Sequence, residues 1–290
     1  MRFIDKINTA QARRGEVETQ SIMDRHWNGT QYLNLSYDLC DKTELRHILL
    51  EEQRDGQKGP YCCYCMRRLY SASVNNHNQN VTLEHIIPNK ITANEWDGDK
   101  EKYCKFPNLS DRYIFICFEG VLQNGNGKIA GKPHPHFISN YNLVASCNGT
   151  VFTQNTVFAN HCCNEKRGNQ FVKPFYLEKS VSEEIVYDKK GNILCDSADF
   201  ESRWLGTDCL NLSCHGLMMV RRFWYKISIS SYSVQDIEKA EMDANLRNDI
   251  IDDIVDLTDR QDSTWEFFRK QEPWCWLSEY SWFYDYYSCH

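Results

Sequence analysis

Cys62 and Cys65, with two residues between them in Pro60-Tyr-Cys-Cys-Tyr-Cys65, constrain this chain more than any other feature. Two thiolates at that spacing share one tight turn and fill two corners of a tetrahedral Zn²⁺, at about 2.3 Å per Zn–S bond. Gly56, Gly59 and Pro60 just ahead are turn signals that place the pair on a loop. The other two corners have to come from elsewhere, and the best-placed thiols are Cys147, in Leu143-Val-Ala-Ser-Cys147, and Cys163, in His161-Cys-Cys-Asn164. Cys162 and His161 stand beside Cys163 as alternative fourth donors. An ion held this way ties distant loops and supplies folding energy that an irregular module lacks.

Fourteen cysteines would read as disulfides in a short secreted chain. Met1-Arg-Phe-Ile-Asp-Lys6 has no apolar run behind it, and no stretch reaches the roughly 18 apolar residues of a membrane span. The expectation is therefore a cytoplasmic protein with no membrane association, whose paired cysteines bind metal. Cys40, Cys104, Cys117, Cys195, Cys209, Cys214, Cys275 and Cys289 are expected to pack as small hydrophobes.

The hydrophobic fraction of 41% and aromatic fraction of 13% suffice for a sizeable core. A net charge of -7 argues against a polyanionic partner until it is divided along the chain. Residues 1–55 hold 8 basic and 10 acidic side chains, residues 56–175 hold 13 and 8, and residues 176–290 hold 12 and 22. Only the middle third is basic, and it carries the motifs. Such an asymmetry fits a central module facing a polyanion and an acidic C-terminal lobe facing solvent or a protein. The expected organisation is an N-terminal helical extension (1–55), a core with inserted loops (56–175) and a mainly helical acidic lobe (176–290), α+β in class.

The first forty residues read as polar and irregular. Leu45, Ile48 and Leu49 then recur at helical spacing over 42–53, with Asp41 as a candidate N-cap. Val81 to Ile87 is β-prone and stops at Pro88; residues 90–137 read as an insertion, with Asn124-Gly-Asn-Gly127 as a surface turn. Asn142 to Ser146 reads as a short strand or turn, and a helix is expected from Asn164 to Gly168. Ser233-Val-Gln-Asp236 resembles a capping box opening one long helical pattern through Ile237, Met242, Leu246, Ile250, Ile254 and Leu257. His134 and His136, flanked by prolines, read as a solvent-exposed turn. The aromatic run from Trp274 to Tyr287 reads first as the seam of the C-terminal helices and second as a docking surface.

Between the cysteine pairs lies Val81-Thr-Leu-Glu84-His85-Ile-Ile-Pro88. A histidine at a strand end can act as general base toward water, and an adjacent carboxylate can orient it or hold a divalent ion. In order along the chain, Cys62-x-x-Cys65, Glu84-His85-Ile-Ile-Pro88, Asn142-Leu143 with Ser146-Cys147, and Cys163-Asn-Glu-Lys-Arg-Gly168 resemble the HNH endonucleases.

That resemblance implies a ββα-metal core with a structural zinc knuckle. His85 would activate water, Asn142 would orient the His85 loop, and Glu84 with Asn164 would hold a catalytic Mg²⁺ or Mn²⁺; Lys166 and Arg167 would face phosphates of the nucleic acid. The chain departs from the pattern where fifteen residues separate Cys147 from Cys163, and where Asn164 replaces a frequent histidine. More loosely, Met1-Arg-Phe-Ile-Asp-Lys6, Leu45 to Gln53 and Leu210-Asn-Leu-Ser resemble the PtuB-type nuclease subunits of Septu and certain retron antiphage systems. That wider likeness implies a PtuA-type ATPase partner and DNA, or RNA such as tRNA, as substrate. The rival expectation is a zinc-stabilised nucleic-acid-binding or adaptor module that does not cut.

Overall fold

The computed structural model describes residues 1–74, 77–110, 113–118, 121–122, 128–152, 160–195, 209–256, 259 and 262–290. At its centre lies a two-stranded antiparallel ribbon of β1 (Val81–His85) and β2 (Leu143–Cys147), in the register Val81 to Cys147 through His85 to Leu143. Every residue of β2 is buried, which explains why its run does not alternate between apolar and charged residues. Two strands alone do not make a stable sheet. Here the outer edge of β2 is closed by Gln53, whose Nε2 donates to Ala145 O (2.8 Å) and whose Oε1 accepts from Ala145 N (2.7 Å).

Gln53 follows α2 (Thr43–Glu52), which buries Leu45, Ile48, Leu49 and Leu50. Asp41 contributes as expected, but one position early: its Oδ1 accepts from Thr43 N, and the N-cap itself is Lys42. The first forty residues are not irregular. They contain α1 (Ala10–His26), capped by the Thr9 side chain accepting from Ala12 N. Its inner face is Ala12, Gly15, Thr19, Ile22 and Met23, mostly small or polar, so a hydrophobic pattern does not reveal it. A third helix, α3 (Ala93–Tyr103), lies inside the stretch read as an insertion and starts at a Thr92/Glu95 capping box. The expected turn at 124–127 lies outside the described residues, as does Leu257.

After β2 comes the short α4 (Cys163–Arg167), which reaches Gly168 as expected and contacts β2. Among the described residues the C-terminal third is mainly helical, with one short antiparallel pair of Val186–Tyr187 and Ile193–Leu194: α5 (Lys179–Glu184), α6 (His215–Ser228), α7 (Val234–Ala240), α8 (Ala244–Ile254), α9 (Ser263–Phe268), α10 (Glu272–Glu279) and α11 (Trp282–Cys289). Ser233 and Asp236 do form a capping box. The single long helix does not form, because Asp243 caps a new one by accepting from Asn245 N and Leu246 N.

The aromatic run is largely core. Trp274, Leu277, Tyr280 and Phe283 are buried, Trp224 on α6 donates from Nε1 to Leu277 O (2.9 Å), and Phe223 meets Trp274 edge-on at 5.6 Å. One hydrophobic cluster runs from Met1 and Ile4 through the ribbon to Phe283. No helix among the described residues is long and apolar enough to cross a membrane.

Candidate functional site

The turn carrying Cys62 and Cys65 is closed by Met66 N donating to Cys62 O (3.2 Å) and Cys62 N donating to Arg67 O (2.8 Å), with Met66 in the left-handed region at φ 62°. Cys147 ends β2, and Cys163 opens α4 with φ 51°, an uncommon conformation for a side-chain-bearing residue. These segments bring the Sγ atoms of Cys62, Cys65, Cys147 and Cys163 within 4.8 Å of one another, all buried. Cys62 to Cys163 is 4.0 Å and Cys65 to Cys147 is 3.7 Å. A tetrahedral Zn²⁺ with ~2.3 Å bonds places its sulfurs about 3.8 Å apart, so the cluster can hold a structural metal such as zinc.

The electrostatics fit the same conclusion. Burial pushes the thiols of Cys62, Cys65 and Cys163 well above their ordinary range, whereas hydrogen bonds from Cys162, Cys163, Cys62 and Cys65 pull Cys147 well below it. Further thiolates need a cation, and a divalent ion supplies that charge. Backbone N–H groups of Tyr64 (3.5 Å) and Cys147 (3.3 Å) already point at Cys62 Sγ.

Cys162 lies just outside the set of four, 3.6 Å from Cys163 Sγ, and its bond with Cys147 pushes it up to about 11. His161 is exposed. Cys163 is thus the fourth member of the cluster. Of the remaining cysteines, Cys104 and Cys289 are exposed rather than packed.

At the far end of β1, Asn142 is fully buried and spans the turn that follows His85. Its Oδ1 accepts from Ile87 N (2.7 Å), and its Nδ2 donates to Ile87 O (2.9 Å) and His136 O (2.9 Å). His85 Nε2 lies 2.9 Å from Phe137 O. A carbonyl only accepts, so Nε2 carries the proton and Nδ1 keeps a lone pair. Burial pushes His85 down to about 3, with smaller contributions from His136, Arg167 and Lys42, so its imidazole is neutral at neutral pH. The Tyr37 ring meets it edge-on at 4.5 Å.

Glu84 and His85 are neighbours on a strand, so they project to opposite faces of the ribbon. On Glu84's face stand Tyr64, whose hydroxyl donates to Oε1 at 3.3 Å, and Arg167, whose Nη1 pairs with the same oxygen. Arg167 is buried, and its guanidinium also donates to His85 O, Ile86 O (2.6 Å) and Gln170 O (3.0 Å). This corrects the expectation of a phosphate-facing Arg167: its donors are committed to the end of β1. Lys166, one residue earlier, is exposed. Asn164 sits on the Arg167 side, its Nδ2 donating to Thr82 Oγ1 at 3.3 Å.

His134 and His136 are not an exposed turn. Both are fully buried; His136 Nδ1 accepts from Cys117 N (3.1 Å) and its Nε2 lies 3.2 Å from Pro88 O. The segment folds under the Pro88 turn, and with Phe137 it forms the wall against which His85 rests. Sequence reading missed Phe137 and Tyr64 as partners of His85 and Glu84, because a backbone carbonyl and a lone tyrosine carry no motif. Comparisons with protein-family models, with curated proteins and with solved structures gave no match.

Proposed function

We propose that the protein is an HNH-type endonuclease that hydrolyses phosphodiester bonds of DNA or RNA. The observation that carries this reading is the Asn142 bracket. One buried amide fixes both the N–H and the carbonyl of Ile87, two residues beyond His85, and so holds the candidate base at the end of an antiparallel ribbon backed by a helix.

In this reading Nδ1 of His85 takes the proton from the attacking water, its ring held by the Nε2–H to Phe137 O bond. Exposed Lys166 meets the nucleic-acid backbone. The ββα core is stapled by Zn²⁺ on Cys62, Cys65, Cys147 and Cys163. A catalytic Mg²⁺ or Mn²⁺ fits in part. Asn164 spends its amide nitrogen on Thr82, leaving its carbonyl oxygen for a hard cation, whereas the carboxylate of Glu84 is taken by Arg167. Such an ion, when bound, would neutralise charge developing on the phosphate. Glu84 is then a positioning residue that anchors Arg167 on the His85–Ile86 peptides. The wider resemblance adds bacterial antiphage defence and a PtuA-type ATPase that the acidic lobe would meet.

The committed Glu84 favours a second reading, a zinc-stapled nucleic-acid adaptor without catalysis. Cleavage of plasmid and of RNA by purified protein in Mg²⁺ or Mn²⁺, alone and with a candidate ATPase, separates the two. His85→Ala is expected to slow cutting by about 10²–10⁴-fold, the usual worth of a general base. Equal cutting by wild type, His85→Ala and Asn164→Ala would sink the assignment of catalysis to these residues, and no cutting under any of these conditions would leave the adaptor.

A further inference from the structure

Beside His85 opens a cleft of about 1180 Å³, above the roughly 300–1,000 Å³ of most small-molecule sites. Trp27, Tyr32, Tyr37, Phe118 and Phe137 line it, five rings in one concavity. Two of them belong to the site already described. Phe137 supplies the carbonyl that holds His85 Nε2, and Tyr37 is the partition between the cleft and the imidazole. Tyr37 has Lys42 Nζ over its ring at 4.4 Å, so it serves as a wall rather than a platform. Trp27 and Phe118 are half-buried, and Tyr32 braces Trp27 edge-on at 4.9 Å.

The polar part of the lining is as informative. Asn34 and Asn89 offer amides, which both donate and accept, and among the described residues the lining holds one cation, Lys90, and one anion, Asp38. With those two charges cancelling, the cleft has little field for phosphate. It offers flat aromatic faces and two-way hydrogen-bonding edges, the chemistry that recognises a planar heterocycle. A base inside a duplex has both faces stacked and its pairing edge occupied, so only an unpaired base can use such a cleft.

We propose that this cleft takes an unstacked nucleobase, so that the substrate is single-stranded nucleic acid, DNA or RNA, threading past His85. The proposal rests on the nuclease reading for what happens at His85, and on the cleft alone for binding. Trp27 and Phe118 stack on the base, Asn34 and Asn89 meet its edge, and Tyr37 separates it from the neighbouring phosphate at the imidazole.

The test is fluorescence anisotropy on full-length His85→Ala protein, with labelled DNA and RNA 20-mers in three forms: single strand, duplex, and a strand carrying abasic sites. Base-bearing single strands are expected to bind at least tenfold tighter than both the duplex and the abasic strand. Trp27→Ala and Phe118→Ala are each expected to weaken single-strand binding by about 5–150-fold, the range for loss of one stacking ring, and to leave duplex binding as it was. Circular dichroism melting checks that each variant folds. Equal binding of abasic and base-bearing strands, or unchanged affinity in both folded variants, would overturn the proposal. Base-dependent binding by a protein whose wild type cuts no strand supports the cleft and removes the nuclease; cutting of duplex by folded cleft variants at the wild-type rate does the reverse.

Discussion

At the scale of single residues, the end of β1 is held by groups that cannot ionise freely. Arg167 and Glu84 are buried together, and removal of either would leave the other as an uncompensated charge, typically costing about 3–5 kcal/mol. On the other face the held groups are imidazoles. Burial pushes His85 down to about 3 and His134 and His136 to about 4. The unfolded chain takes up these protons near 6.5, so between about 6.5 and 4 it binds protons the folded protein does not. Stability from neutral burial is then complete above pH 6.5 and is lost as pH falls toward 4. His134 isolates the effect. Its ring lies edge-on to Tyr141 at 6.0 Å, a contact that phenylalanine preserves, and burial outweighs the hydrogen bond with the Tyr113 backbone that works the other way. Urea denaturation should show the stability of His134→Phe relative to wild type rising steadily as pH falls from 7.5 to 5. A constant difference across that range would mean that His134 does not titrate with folding. The Pro-His-Pro-His string gave no sign of this burial, because proline and histidine are common in exposed turns and only packing under the Pro88 turn decides otherwise.

Among the secondary-structure elements, α1 shows where helix propensity and packing disagree. Gly15 lies in the helix interior, where alanine would ordinarily gain about 1 kcal/mol. A Cβ at this position would stand 2.2–2.4 Å from the side-chain atoms of Asn140. Asn140 has no room to swing: it is fully buried, its Nδ2 is directed at Glu52, and its backbone N donates to Thr19 Oγ1 at 3.1 Å. Overpacking of this kind costs about 1–3 kcal/mol, more than the propensity returns. Gly15→Ala should lower the urea midpoint, by about 1–2 kcal/mol of stability on balance; a raised midpoint would show that α1 can lift away from the ribbon. The same crowding explains why α1 was invisible in the sequence. Its inner face needs small residues against Asn140, so it carries little hydrophobic signal, whereas β1, β2 and α2 bury large or β-branched side chains and were legible. The capping box at Ser233 was legible too, but Asp243, which starts α8, competes with continuation of α7 only once both helices are packed.

For the whole molecule, the thiol cluster is the point where distant parts of the chain are tied together. It joins the loop after α2, the end of β2 and the start of α4, and Tyr280 of the C-terminal lobe places its hydroxyl 3.9 Å from Cys65 Sγ. Two residues beyond Cys65, buried Arg67 pairs with Glu279 on α10, whose other oxygen is 3.2 Å from His77 Nδ1, and Arg68 N donates to Glu279 O at 2.7 Å. Loosening the knuckle therefore strains the seam to the C-terminal helices as well as the ribbon. The motif that was easiest to read thus has a consequence that sequence did not disclose, because a glutamate some two hundred residues downstream shows no pairing until the chain is folded. If the ion is structural, purified protein should carry close to one zinc per chain by elemental analysis. Cys147→Ser should lose it, whereas Cys289→Ser, on an exposed terminal thiol, should keep it. In calorimetry, Cys147→Ser or protein stripped by a strong chelator should melt in one transition shifted well below the native one, with the far-UV signal of the C-terminal helices lost in the same step. An early transition for the ribbon followed by an unshifted one for the helical lobe would instead make the lobe an independent unit, with Arg67–Glu279 a contact between two bodies rather than part of a single core.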